Sequence, residues 1–238
     1  MSRTGKLVIV GVVVLVLALG GGYLLFASRT SDSPPAAALD PAPATTAGQA
    51  TGTTGYDGAA TPDGTWTVSN DGKSFVGYRV KEQLAFLDSP NEAVGRSTAV
   101  TGTMEVAGDT VESVRIEADL TRLTSDESRR DNAIRLRGLE SERFPKATLE
   151  LAEPIRLAGA PAQGREVRGR GTGRLTVHGV TREVDLDLAG RWNGSTIQVA
   201  GQFPVKMSDF QIEPPRFGPV MSIEDGLTVD FNLVFQRA

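Results

Sequence analysis

From Thr65 to the C-terminus, apolar and polar side chains alternate with a period of two, in one stretch after another. "SFVGYRV" sets Val76, Tyr78 and Val80 on one face. "AVTGTMEV" groups Val100, Met104 and Val106, with Gly102 among them. "SVRIEADL" opposes Val114, Ile116, Ala118 and Leu120 to Arg115, Glu117 and Asp119. Leu149 and Leu151 pair in "TLEL", and Ile197, Val199, Phe203 and Val205 line up in "TIQVAGQFPV". The last run, "LTVDFNLVF", is the cleanest, with Leu227, Val229, Phe231, Leu233 and Phe235 on one side. A period of two predicts strands with one buried and one wet face. Turn signals separate the runs: "SNDGK" (69–73), "AGD" (107–109), "WNG" (192–194) and "EDG" (224–226). About seven to nine strands are expected, closed as an antiparallel sandwich or barrel.

One segment breaks the rhythm. In "TSDESRRDNAIRLRGLE", Thr124 precedes Glu127 by three, a capping-box spacing, and Pro145 marks the return to strand. A single short helix is expected over about 126–137. Its arginines 129, 130, 135 and 137 read as a solvated helix face or, more pointedly, as a site for an anionic head group near a pocket mouth.

The hairpin "RLTVHGVTREVDLDL" (174–188) carries the chain's one histidine. Leu175, Val177, Val184, Leu186 and Leu188 fall on the buried face. His178 falls on the polar face at the tip, before Gly179, which supplies freedom for the reversal. With no cysteine and no second histidine, a His-based metal cluster or a Cys–His pair is out of reach. No Gly-x-Ser-x-Gly elbow accompanies it. His178 is therefore expected to serve the turn. Upstream, "GREVRGRGTGRL" (164–175) lacks the Gly-Lys-Ser/Thr ending of a phosphate loop. Its arginines 165, 168, 170 and 174 are expected on a solvated strand face or loop.

The N-terminal third is different. Leu7 to Phe26 is 20 residues without a charge, and a helix of that length spans roughly 30 Å, one hydrocarbon core. Arg3 and Lys6 precede it, so the positive-inside rule puts residues 1–6 in the cytoplasm and everything after 7–26 outside. The alternative is a cleaved signal peptide, which exports the remainder equally. Between 28 and 64, 29 of 37 residues are Ala, Thr, Pro, Gly or Ser, too little apolar surface to offset chain entropy. The expected order is a cytoplasmic N-terminus (1–6), a single transmembrane helix (7–26), a disordered linker (27–64) and a folded domain (65–238) at the outer face of the cell membrane.

Composition narrows the chemistry further. Net charge is −4 with both signs interspersed, so no basic stripe for nucleic acid is present. The absence of cysteine excludes disulfides, thiolate metal sites and a lipidated cysteine. No cofactor, metal or catalytic residue is expected.

The folded part resembles the YceI-like family of lipocalin-like, polyisoprenoid-binding β-barrels. The resemblance rests on Trp66 with "SFVGYRV", on "RRDNAIRLRGLESERFPKATLEL" (129–151), on "GRLTVHGVTREVDLDL" (173–188) and on "MSDFQIEPPRFGPVMSIEDGLTVDFNLVF" (207–235). It departs in "VKEQLAFLDSPNEA" (80–93), where the family usually has a His-containing segment. The resemblance implies an extended antiparallel barrel with one short helical insert, an apolar tunnel for a long isoprenoid tail, and no catalytic residues. Glycines at inward parity, Gly102 and Gly201, are expected to leave room inside. The expected lining is Val76, Tyr78, Met104, Ile116, Leu149, Leu186, Phe203, Phe231 and Leu233, and the expected partner is an isoprenoid or other long-chain lipid. Two rivals remain: a solid barrel acting through its loops, with "SDESRR" and "PPRFG" as contact surfaces, and a hydrolase built on His178.

Overall fold

The computed structural model describes residues 33–41, 61–85, 87, 89–216, 218 and 220–238. The expected membrane helix over 7–26 and most of the linker lie outside these residues. Among the described residues no helix is long and apolar enough to cross a membrane.

The two-residue rhythm becomes twelve strands: β1 (Gly64–Val68), β2 (Phe75–Leu84), β3 (Asn91–Ser97), β4 (Val100–Ala107), β5 (Thr110–Asp119), β6 (Thr124–Ser125), β7 (Lys146–Leu151), β8 (Ile155–Arg156), β9 (Glu166–Val177), β10 (Val180–Trp192), β11 (Thr196–Lys206) and β12 (Val220–Arg237). They fill eight positions in one ring. β1 and β2 follow one another along the edge of β12, β3 and β4 along β2 and β1, and β7 and β8 along β5, while β6 extends the line of β5 beside β3. Every pairing is antiparallel, and the pairings of β1 and β2 with β12, such as Trp66 with Arg237, close the barrel. Closure removes the exposed sheet edges. The interior width of eight strands admits side chains or one slender ligand.

Parity assigns the faces. Along β9 the arginines 168, 170 and 174 point outward and exposed, while Gly169, Gly171 and Gly173 point inward. A Cβ on Gly169 or Gly171 would stand 2.8 or 2.5 Å from side-chain carbons of Ile155, so this glycine stripe admits the buried Ile155 into the barrel. Gly201 and Gly102 behave alike, and here the expectation needs correcting. A Cβ at Gly201 would meet Phe231 at 2.6 Å, and one at Gly102 would meet Ile116 at 2.6 Å. Large neighbours lean over these glycines, so the room they leave is filled.

Two further expectations change. "EDG" (224–226) is no turn: it lies within β12, where the register against β2 slips between Ile223 and Leu227. Such a bulge absorbs extra residues while the strand continues. The insert is a helix, but it begins later. Thr124 and Ser125 pair with Arg96 and Gly95 as β6, so the capping box does not form. Glu127 caps instead, accepting from the Arg129 N–H at 3.0 Å, and starts helix α1 (Ser128–Ala133). The chain then widens into a π-helical turn, Ile134–Gly138.

Outside the barrel, fully buried Asp230 on β12 accepts from Arg79 (3.3 Å) and Arg96 (3.0 Å). Residues 35–41 lie against this side. Arg96 donates to the Pro35 carbonyl at 2.6 Å, the Asp40 N–H donates to Gln198 Oε1 at 3.1 Å, and Arg191 donates to the Asp40 carbonyl.

Candidate functional site

Several inward side chains are only partly covered although they face the barrel axis, among them Val76, Leu149, Leu188, Val199 and Val229. They are half-exposed because they line empty space. Two apolar cavities occupy the interior, of about 130 and 150 Å³. An engineered apolar cavity of ~150 Å³ stays dry and takes up benzene, so each lobe is of ligand-holding size. The lower lobe reaches Pro62, Pro161, Trp192 and Phe235. The upper lobe reaches the insert and a 3-10 turn, Met207–Phe210. Val76, Ala118, Ala147, Leu175 and Val229 line both lobes, so the two cavities adjoin at a shared waist.

All nine residues expected to line the interior are found there. Met104, Ile116, Leu149, Leu186, Phe203, Phe231 and Leu233 line the lower lobe, Tyr78 the upper, and Val76 both. Sequence parity did not place the roof of the upper lobe, where Ile134, Leu139, Met207, Phe210 and Ile212 come from the insert and the segment after β11. These elements have no two-residue period to read.

Sequence reasoning also missed an ionic group in the upper wall. Glu82 shares the inward parity of Val76, Tyr78 and Val80 on β2, which is the signal that finds it. It is 2% exposed, and Arg130, expected on a solvated face, is 5% exposed. Arg130 Nη2 donates to Glu82 Oε1 at 2.7 Å, and Asn91 donates to the same oxygen at 3.0 Å. Arg130 Nη1 donates to Asp126 and to Ser125 Oγ. Burial acts to lower the Arg130 pKa, but the hydrogen bond and charge of Glu82 outweigh it and the value is raised. Tyr78 lies in the same wall, and burial pushes its phenol well above the usual range.

His178 sits at the hairpin tip as expected, with φ +52°, next to Gly179 at φ +75°, a pair of positive angles that suits a two-residue reversal. It is not wet, however. Its side chain is 14% exposed, edge-on to Phe144 with centroids 4.5 Å apart. Nδ1 lies 3.2 Å from the Phe210 carbonyl, and Nε2 lies 3.3 Å from Glu140 Oε2. The ring thus ties the hairpin to the insert and to the 3-10 turn. Among the described residues no cluster of His, Asp and Glu could hold a metal ion.

A closed, eight-position antiparallel barrel around adjoining apolar cavities defines the class: a lipocalin-like barrel with a hollow interior. The chain belongs to the YceI-like domain family, whose model matches residues 66–235. Among solved structures, a polyisoprenoid binding domain from Saccharophagus degradans implicated in plant cell wall breakdown is similar, with a TM-score of 0.56 and 18% identity over 73% of this chain and 98% of that one. BcnA of Burkholderia cenocepacia is similar at a TM-score of 0.54 and 21% identity, covering 70% and 98%. The search of curated protein sequences gives no match.

Proposed function

We propose that this is a membrane-anchored, extracytoplasmic lipid-binding protein that holds or carries an isoprenoid or similar long apolar lipid inside the barrel. The observation that carries the reading is the pair of adjoining apolar cavities inside the barrel, which share the wall at the waist. A tail of ~15 carbons buried there at about 0.8 kcal/mol per methylene gains on the order of 10 kcal/mol before association costs. The similar domain from Saccharophagus degradans is described as polyisoprenoid binding. The uncharged stretch from Leu7 to Phe26, with Arg3 and Lys6 before it, supports an anchor that keeps the barrel beside its lipid supply. Binding rather than catalysis fits His178, whose two ring nitrogens are both engaged in bracing contacts. The test is extraction of the gently purified full chain followed by lipid mass spectrometry. A prenyl-chain lipid in stoichiometric amount is expected. Protein that emerges free of lipid and ignores added prenyl lipids overturns the proposal.

A further inference from the structure

A groove of about 490 Å³ lies on the outer side of β2, β11 and β12, where exposed Lys81, Pro204 and Glu224 border it. Val80, Val205, Lys206 and Leu227 line both this groove and the upper lobe. One layer of side chains therefore separates the cavity from solvent there.

The sheet is interrupted along the same stretch. Against β2, β12 pairs Ile223 with Glu82 and next Leu227 with Val80, so Glu224, Asp225 and Gly226 stand opposite Lys81 alone. Against β11 the ladder ends at Lys206 with Gly226, and β11 gives way to the 3-10 turn Met207–Phe210. Glu224 and Asp225 thus have no strand partner on either side. A side chain bridges the gap instead: Asp225 accepts from the Ser208 N–H at 2.8 Å and the Ser208 O–H at 2.7 Å. Ser208 belongs to the 3-10 turn, whose Met207 and Phe210 roof the upper lobe. Parting two regular antiparallel strands breaks a run of ladder bonds. Parting the bulge from the roof breaks the bonds of one exposed carboxylate. Space for that movement exists, since a Cβ on Gly226 would meet nothing within 4 Å.

Resting on the lipid-binding reading above, we propose that the β12 bulge is a side door of the barrel. An apolar tail enters and leaves the upper lobe past Val80, Val205 and Leu227, and the Asp225–Ser208 contact is the latch that holds the door shut. Bulges gather beside functional sites, where they end pairing locally without ending the strand. Opening here leaves the ladders on both sides of the bulge in place, so the ring stays closed while ligand passes. Asp225 lines neither lobe, so the latch governs the rate of passage and not the affinity.

The test follows transfer of geranylgeraniol from the full chain to a nitrogen-15-labelled copy by native mass spectrometry, with Kd measured alongside. Asp225→Ala should speed transfer by about tenfold, the scale of one or two lost hydrogen bonds, with association and dissociation rising together and Kd unchanged. The chain has no cysteine, so Ser208→Cys with Asp225→Cys introduces a single pair; once oxidised it should slow transfer below the parent's rate, and reductant should restore it. Thr176→Cys with Thr181→Cys, which replaces two touching hydroxyls on the β9–β10 hairpin, should leave transfer at the parent's rate in both states. Parental transfer rates in Asp225→Ala or in the oxidised 208–225 pair overturn the door and leave lipid binding standing. So does an Asp225→Ala variant that binds more weakly through faster dissociation alone, which makes the contact part of the pocket. A parent chain that takes up no geranylgeraniol overturns both.

Discussion

Ala118 and Ala147 are paired side by side on β5 and β7 and line both lobes, so a larger side chain there enters the waist. Ala118→Leu adds three carbons at that point. If the adjoining lobes admit them, their burial contributes ~2 kcal/mol at about 0.8 kcal/mol each, against ~1–3 kcal/mol for crowding a packed wall. The variant should therefore fold with a stability within roughly 1–2 kcal/mol of the parent. Its effect on ligand is larger. A tail stopped at the waist leaves some five carbons unburied, a loss of ~4 kcal/mol or about a thousandfold in Kd. The assay is the dissociation constant for geraniol, farnesol and geranylgeraniol, with a thermal melt as the control for folding. In the parent chain affinity climbs steeply with tail length. In Ala118→Leu, and in Ala147→Leu beside it, affinity should level off once one lobe is full. A well-folded variant whose affinity rises with tail length as the parent's does would refute a tail that threads both lobes.

Three other outcomes follow from the same geometry. Glu82→Ala or Arg130→Ala alone should cost about 3–5 kcal/mol in denaturant unfolding, because each strands a buried charge, while Glu82→Leu with Arg130→Met should recover most of it. Single variants that unfold at the parent's denaturant concentration would argue against a buried pair. His178→Asn should keep the hairpin, since Asn before Gly suits the turn, and lose about 1–2 kcal/mol with the Phe144 and Glu140 contacts; lipid content should not change, and its loss from a folded variant would make the histidine part of the site. Asp225 accepts from the Ser208 N–H (2.8 Å) and O–H (2.7 Å), and these bonds hold its carboxyl below the usual range. A depressed carboxyl contributes fully above its ordinary value and loses that contribution as pH falls through the lowered one. The Ser208 amide should therefore shift in NMR only at strongly acidic pH, and Asp225→Asn should abolish the transition; a midpoint at or above the ordinary carboxylate value would contradict the contact.

The barrel was readable because alternation survives tertiary packing: one face of each strand meets an apolar interior and the other meets water. Inward parity picked out Val76, Met104, Leu186 and Phe231 without coordinates. The same rule points to Glu82, but a charge at inward parity is easily taken for a loop signal when its ion partner, Arg130, arrives from an insert with no strand period. Pairing decided what local signals could not. Thr124 looked like a cap until β3 claimed it for β6, and Glu224 to Gly226 looked like a turn until β12 carried on through a bulge. The inward glycines misled in another way, since spacing shows where a side chain is missing but not that Phe231 or Ile155 leans into the gap.

The central claim is that a long apolar tail lies inside this barrel, and photolabelling of the full chain with a prenyl alcohol carrying a diazirine near the tail's end tests it most directly. Label is expected on peptides containing Leu186, Phe231 and Leu233, the walls of the lower lobe, and should be displaced by unlabelled geranylgeraniol. Label confined to outward residues such as Arg170 or Asp187, or undiminished by competitor, would contradict it.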